Sequence, residues 1–174
     1  MPSIISINIS HAKGERKQPV GYAELKAGHG IVGDGHAGDW HRQVSLLAIE
    51  SIGSMRDKGS DVGPGDFAEN ITTDGIDLPA LPVGTLMRLG PALVEVTQIG
   101  KECHDRCEIY RQAGDCVMPR EGIFAKVLEG GVIKDGDVIE VIDAGCGGGT
   151  QKEFNTSEAG TEKASTRAGR KAEG

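Results

Sequence analysis

Apolar and small polar residues alternate over Ser3 to Ile9, with Ile4, Ile5, Ile7 and Ile9 as the apolar set, and this predicts a first strand with one buried face. His11 to Pro19 is polar and reads as a loop, and Val20 to Leu25 as a second short strand. Gly28 to Gly38, GHGIVGDGHAG, is too rich in glycine for either regular element and is expected to be a shaped loop. His41 to Ala48 carries Val44, Leu46 and Leu47 and reads as a buried strand. Ile49, Ile52 and Met55 then fall at helical spacing, which predicts a short helix over Ile49 to Lys58 stopped by Gly59.

Farther along, Asn70 to Thr73 forms a β-rich centre between turn signals at Pro64, Gly65, Asp74 and Gly75. Thr85 to Leu89 and Ala92 to Gln98 flank Gly90 and Pro91 and read as a hairpin. Ile123 to Leu128 is expected to make a helical turn stopped by Gly130 and Gly131, and Val132 to Ile142 a closing hairpin turning at Asp135 and Gly136. From Gly145 onward Phe154 is almost the only apolar side chain, so residues 145–174 are expected to be a disordered low-complexity tail behind a domain at residues 1–144. About eight strand candidates and one firm helix imply a mainly β fold, an antiparallel or mixed β-barrel, and argue against a doubly wound sheet.

Composition narrows the function. The 174 residues suit one domain, and 27 glycines with 3% aromatics fit short elements joined by tight turns. A net charge of −7 argues against general nucleic-acid binding, which needs a basic face. The N-terminus lacks the basic start and long apolar run of a secretory signal. No stretch approaches the ~20 apolar residues of a membrane span, so a cytoplasmic protein is expected. In that reducing compartment the four cysteines read as thiols, ligands or redox groups rather than disulfides.

Three of those cysteines gather in Gln98 to Gly122, QIGKECHDRCEIYRQAGDCVMPREG. Cys103 has Lys101, His104 and Arg106 beside it, and cationic neighbours raise the thiolate fraction that makes a cysteine a nucleophile, sulfur carrier or soft-metal ligand. Cys103, His104, Cys107 and Cys116 also have the composition of a zinc site, although no CxxC knuckle is present and adjacent Cys103 and His104 aim poorly at one ion. A third role is redox, with Cys107 or Cys116 resolving an oxidised or persulfidated Cys103 as a disulfide. Cys146, among glycines, reads as uninvolved.

Four stretches, GIVGDGHAG, HRQVSLLA, PGDFAENITTDGIDLPALPVG and QIGKECHDRCEIYRQAGDCVMPREGIFAKVLEGG, in this order resemble the MOSC family, named for the C-terminal domain of molybdenum cofactor sulfurases. The resemblance spans about residues 4–142 and is nearest to short stand-alone bacterial members. It implies a β-barrel, an association with the molybdenum cofactor (molybdopterin), and a cysteine that carries sulfur as a persulfide or ligates molybdenum, here Cys103. Where the family often has proline before that cysteine the chain has Glu102, and Cys107 and Cys116 match only a subset of members. In the sulfur-carrier version a pyridoxal-phosphate cysteine desulfurase is the donor, and a molybdoenzyme or the cofactor is the acceptor. The alternatives are a molybdenum-dependent reductase of N-hydroxylated compounds served by electron-carrier partners, and a non-enzymatic zinc-binding or cofactor-carrier module. A phosphate-bearing pterin calls for fixed cations, so Arg42, Arg88, Lys101 and Arg120 are candidates, with Gly33 to Gly38 permitting close backbone approach. Asn70 either orients ligand or bridges two turns, and His36 is a loop histidine that also has a ligand reading; Met118 is expected to pack.

Overall fold

The computed structural model describes residues 1–102, 110–111 and 114–144. Strand β1 (Ser3–Ile9) follows the alternation, with a phase change. Ile4 and Ile7 are both buried while Ile5 is exposed, because a register irregularity between Ile4 and Ser6 shifts the pairing with strand β6 (Ile71–Asp74). Such a bulge reverses which side chains face inward. The remaining strands are β2 (Gln18–Pro19), β3 (Tyr22–Lys26), β4 (Gly30–Ile31), β5 (Val44–Ala48), β7 (Leu86–Leu89), β8 (Ala92–Ile99), β9 (Ile123–Glu129), β10 (Gly131–Lys134) and β11 (Ile139–Asp143). Helix α1 spans Ile49–Asp57, and a short helix α2 spans Met118–Glu121. Gly59, at φ +94°, ends α1 by giving its N–H to the Arg56 carbonyl.

The chain is mainly β, but its sheets are not closed into a barrel. One sheet runs β11-β7-β8-β9-β5-β6-β1-β2, and a second runs β10-β3-β4. The large sheet curls until β1 meets the approach to β11, where Ser3 and Val138 make a single bridge instead of a ladder. Asp135 and Gly136 cause this. They turn the chain as expected, yet β10 pairs with β3 and β11 with β7, so the expected closing hairpin does not form. The turn is pinned across the molecule: Asp135 Oδ1 accepts the Ile7 N–H at 3.0 Å, and Gly136 donates its N–H to Ile4.

The expected helical turn at Ile123 to Leu128 is instead β9, between β8 and β5 in the large sheet. Its first three residues are buried on both faces, and such a run shows neither period clearly. Ile123, Ala125 and Val127 enter one core with Ile4, Ile7, Val44, Leu46 and Val94. Phe124 points the other way, into a second core with Leu47, Ile52, Met55, Phe67, Cys116 and Met118. Strand β5 is likewise buried throughout and divides its side chains between the two cores. Together β5, α1 and β6 make a parallel crossover within the otherwise antiparallel sheet, with Leu46 opposite Ile71. The second core, capped by α1 and α2, is where the polar loops converge. No helix among the described residues is long and apolar enough to cross a membrane.

Candidate functional site

A narrow cavity of about 60 Å³ opens beside the second core, lined among others by His36, Arg42, Ser45, Asn70, Lys101 and Cys116. Four separate stretches supply these side chains: the loop after β4, the entry to β5, the start of β6, and the chain after β8. Arg42 and Lys101 also line an adjoining open cleft of about 440 Å³ with His41, Gln98 and Pro119. His41 there shares a 3.0 Å hydrogen bond with Gln98 Oε1.

Behind the cavity wall lies a buried charge pair. Lys17 Nζ sits 2.6 Å from Asp34 Oδ1, with neither side chain exposed. The ammonium also reaches Ser10 Oγ at 3.1 Å and His36 Nδ1 at 3.1 Å. Asp34 uses its other acceptor capacity on the backbone N–H groups of Ser10 and His36. Burial alone would raise the Asp34 pKa, but the Lys17 hydrogen bond and charge with those two N–H groups outweigh it and hold the carboxyl below its ordinary value. Burial, then the Lys17 charge, push His36 down to about 4, so its imidazole is neutral near pH 7. Trp40 Nε1 donates to the His36 carbonyl at 2.8 Å and ties down the same loop.

The Arg42 guanidinium lies 4.8 Å from the Trp40 ring centre and 5.6 Å from that of Phe124. Cation–π contact with both rings helps hold the guanidinium in place. Among the described residues its buried Nε has no hydrogen-bond partner, a donor left over for an anion. Lys13 Nζ stands 4.8 Å from the same Trp40 ring. Cys116, buried, contributes a sulfur to the cavity and receives its position from Asp115, whose Oδ1 accepts the Cys116 N–H.

Asn70 bridges elements. Its Oδ1 accepts from the Ser45 N–H and hydroxyl, and its Nδ2 donates to the Asn8 carbonyl, joining β1, β5 and β6 at the cavity floor. Beside it Glu69 is fully buried, with Gly65, Phe67 and Thr72 donating to its carboxyl. Burial raises this carboxyl to about 7 against the opposing effect of those bonds. Between Phe67 and Glu69, Ala68 lines the cavity at φ +62°, a left-handed conformation that costs a residue with a Cβ.

Of the residues expected from sequence, the cavity brings together His36, Arg42, Asn70, Lys101 and Cys116. Arg88 is elsewhere, on β7, where its guanidinium meets Glu129 at 3.0 Å and the Pro91 carbonyl at 3.1 Å. Arg120 is exposed on α2 and paired with Asp115 at 3.2 Å, which pulls the Asp115 pKa down and the Arg120 pKa up. Cys103, Cys107 and His104 lie outside the described residues, as do Cys146 and the segment expected to be a tail. The loop Gly33 to Gly38 offers fewer amides than expected, since Gly35, His36, Ala37 and Gly38 all spend their N–H groups inside the fold. Lys17, Asp34 and Glu69 escape a sequence reading because nothing local marks a charged side chain as buried. Only the closeness of Asp34 to His36 within GDGH hints that the two act together.

A family model described as the MOSC domain matches residues 33–140, more than half of the 174. No curated protein matches the chain. Among solved structures, the YUAD protein from Bacillus subtilis superposes with a TM-score of 0.66 at 20% identity, over 80% of this chain and 94% of that one. YiiM from Geobacillus stearothermophilus gives 0.66 at 22% identity, over 84% and 78%. YiiM from Escherichia coli gives 0.60 at 20% identity, over 82% and 70%. At these identities the likeness speaks for a shared fold, and the family model adds the lineage. The chain belongs to the MOSC domain family.

Proposed function

We propose that this protein binds the molybdenum cofactor, or receives sulfur for it, through Cys103. The observation that carries the reading is the convergence of Arg42 and Lys101 on both the cavity and its adjoining cleft, with Lys101 two residues before Cys103. The residues fit the group. The orphaned Arg42 Nε and the Lys101 ammonium suit a phosphate, and the cavity and its adjoining open cleft offer space for the group and its ring system. Arg42, Lys101 and His36 would hold the anionic end, with Cys103 as the soft sulfur ligand. Bound there, the cofactor would supply a redox-active molybdenum centre.

The protein's own contribution is electrostatic. In this reading Lys101, two residues before Cys103 in sequence, favours the thiolate over the thiol. That thiolate attacks the terminal sulfur of a persulfide on a pyridoxal-phosphate cysteine desulfurase; the donor S–S bond breaks, its cysteine leaves as thiolate, and Cys103 carries the new S–S bond. A molybdoenzyme or the cofactor is the acceptor. Metal and pterin analysis of protein from a molybdenum-replete host tests cofactor binding, with stoichiometric molybdenum and extractable pterin expected and stoichiometric zinc against it. Intact mass after incubation with desulfurase and cysteine tests sulfur carriage: a reducible added sulfur is expected, and its persistence in Cys103→Ala would sink the assignment.

A further inference from the structure

The Lys17 ammonium has three protons and three acceptors around it, Asp34 Oδ1 at 2.6 Å, Ser10 Oγ at 3.1 Å and His36 Nδ1 at 3.1 Å. A lysine ammonium donates only, so His36 Nδ1 must accept, and the neutral ring then carries its proton on Nε2. Ser10 Oγ passes its own proton to the Ala12 carbonyl, and Asp34 is occupied by Lys17, Ser10 and His36, so no partner in the network can rearrange without losing a bond. Trp40 holds the His36 carbonyl as well. A buried pair of this kind is a poor source of stability, since desolvation offsets most of the attraction. It does impose one geometry and one tautomer on a histidine that lines the cavity.

We infer that Lys17 and Asp34 are positioning residues that lock His36 as its Nε2–H tautomer, so that the imidazole gives a neutral hydrogen bond to an anion held by Arg42 and Lys101. His36 is then a donor at the cavity wall and takes no proton from the ligand. The depressed basicity of the ring agrees with this. The inference rests on the anion-binding reading of the cavity, but the tautomer is read without any ligand, so the two fail separately.

The test is ¹⁵N NMR of the histidine rings in the full chain, with inorganic phosphate as the probe anion. Ligand-free protein should show His36 with a protonated Nε2 and an accepting Nδ1 near pH 7; a mixture, or protonated Nδ1, overturns the lock. Lys17→Met combined with Asp34→Asn removes the donor without stranding a charge, and it should release His36 into mixed tautomers. Phosphate affinity should fall about tenfold in that double variant and in His36→Ala, the loss of roughly one hydrogen bond to a charged group, and the triple variant should fall no further. Unchanged affinity in the double variant overturns the positioning role alone. Failure of the unmodified protein to bind phosphate overturns the anion site and the reading beneath it. Should the double variant not fold, the ligand-free spectrum of the unmodified protein still decides the tautomer.

Discussion

Thr72 donates its hydroxyl proton to Glu69 at 2.9 Å, in surroundings where neither residue has any exposed surface. Thr72 in turn accepts from Asn8, which accepts from Ser6, so a polar file runs from the carboxyl into β1 beneath the cavity. Glu69 is the titratable member of that file, and its hydrogen-bond donors among the described residues are uncharged groups, which leaves burial to dominate its ionisation.

Glu69 and His36 should therefore pull stability in opposite directions with pH. Glu69 has a folded value of about 7 against an ordinary 4.5, so between these limits the folded state holds more proton and stability falls as pH rises. His36 has a folded value of about 4 against 6.5, so over that window the unfolded state holds more proton and stability rises with pH. Each slope is at most about 1.4 kcal/mol per pH unit. Denaturant midpoints across the shared window should be nearly flat for the unmodified protein. Glu69→Gln should uncover a loss of stability toward acid. His36→Asn, which keeps an acceptor for Lys17, should uncover a gain. Two variants with the same slope would refute the opposition.

The loop before β6 offers a second pair with opposite signs. Gly65 sits at φ +86°, and a Cβ there would lie 2.2 Å from the Lys17 carbonyl oxygen, so Gly65→Ala should cost more than about 2 kcal/mol. Ala68 at φ +62° already bears the left-handed penalty, so Ala68→Gly should stabilise by up to about 1 kcal/mol. Chemical denaturation reads both, and a destabilised Ala68→Gly would show that its methyl packing outweighs the backbone cost.

Local chemistry made some features legible and left others hidden. Helix α1 and its stop at Gly59 were written in a 3.6-residue period and a left-handed residue, and the β7–β8 hairpin in the Gly90-Pro91 turn. β9 was not, because its start, Ile123 to Ala125, is buried on both faces and so loses the alternation. The turn at Asp135 and Gly136 was visible, but its partners, Ile7 and Ile4, are about 130 residues away in sequence, beyond what hairpin logic can see. Arg42 was found through its motif. The Lys17 and Asp34 pair was not, since burial of a charge is a tertiary fact.

Arg88 tests the difference between a cation in a sequence and a cation in a site. Its guanidinium is committed to Glu129 and Pro91, and it lines neither the cavity nor the cleft. Arg88→Ala should leave phosphate affinity within about twofold and cost at most about 1 kcal/mol in stability, the scale of an exposed ion pair. A tenfold loss of phosphate affinity would place the anion somewhere other than beside Arg42.

Arg42→Lys asks whether the charge alone is enough. Trp40 is the only tryptophan, so its emission reports the stack directly. A lysine keeps the positive charge but not the planar guanidinium near Trp40 and Phe124, nor the Nε donor that has no partner among the described residues. Trp40 emission should shift, stability should drop by about 1 kcal/mol, and phosphate affinity should fall about tenfold. Lys13→Ala supplies the control, because Lys13 lies 4.8 Å from the same ring yet does not line the cavity. It should move the emission and leave phosphate affinity within about twofold, the small effect of one exposed charge at a distance. Full phosphate affinity in Arg42→Lys, with a shifted Trp40 spectrum, would mean that the anion sees only the charge and that the guanidinium plane serves the fold.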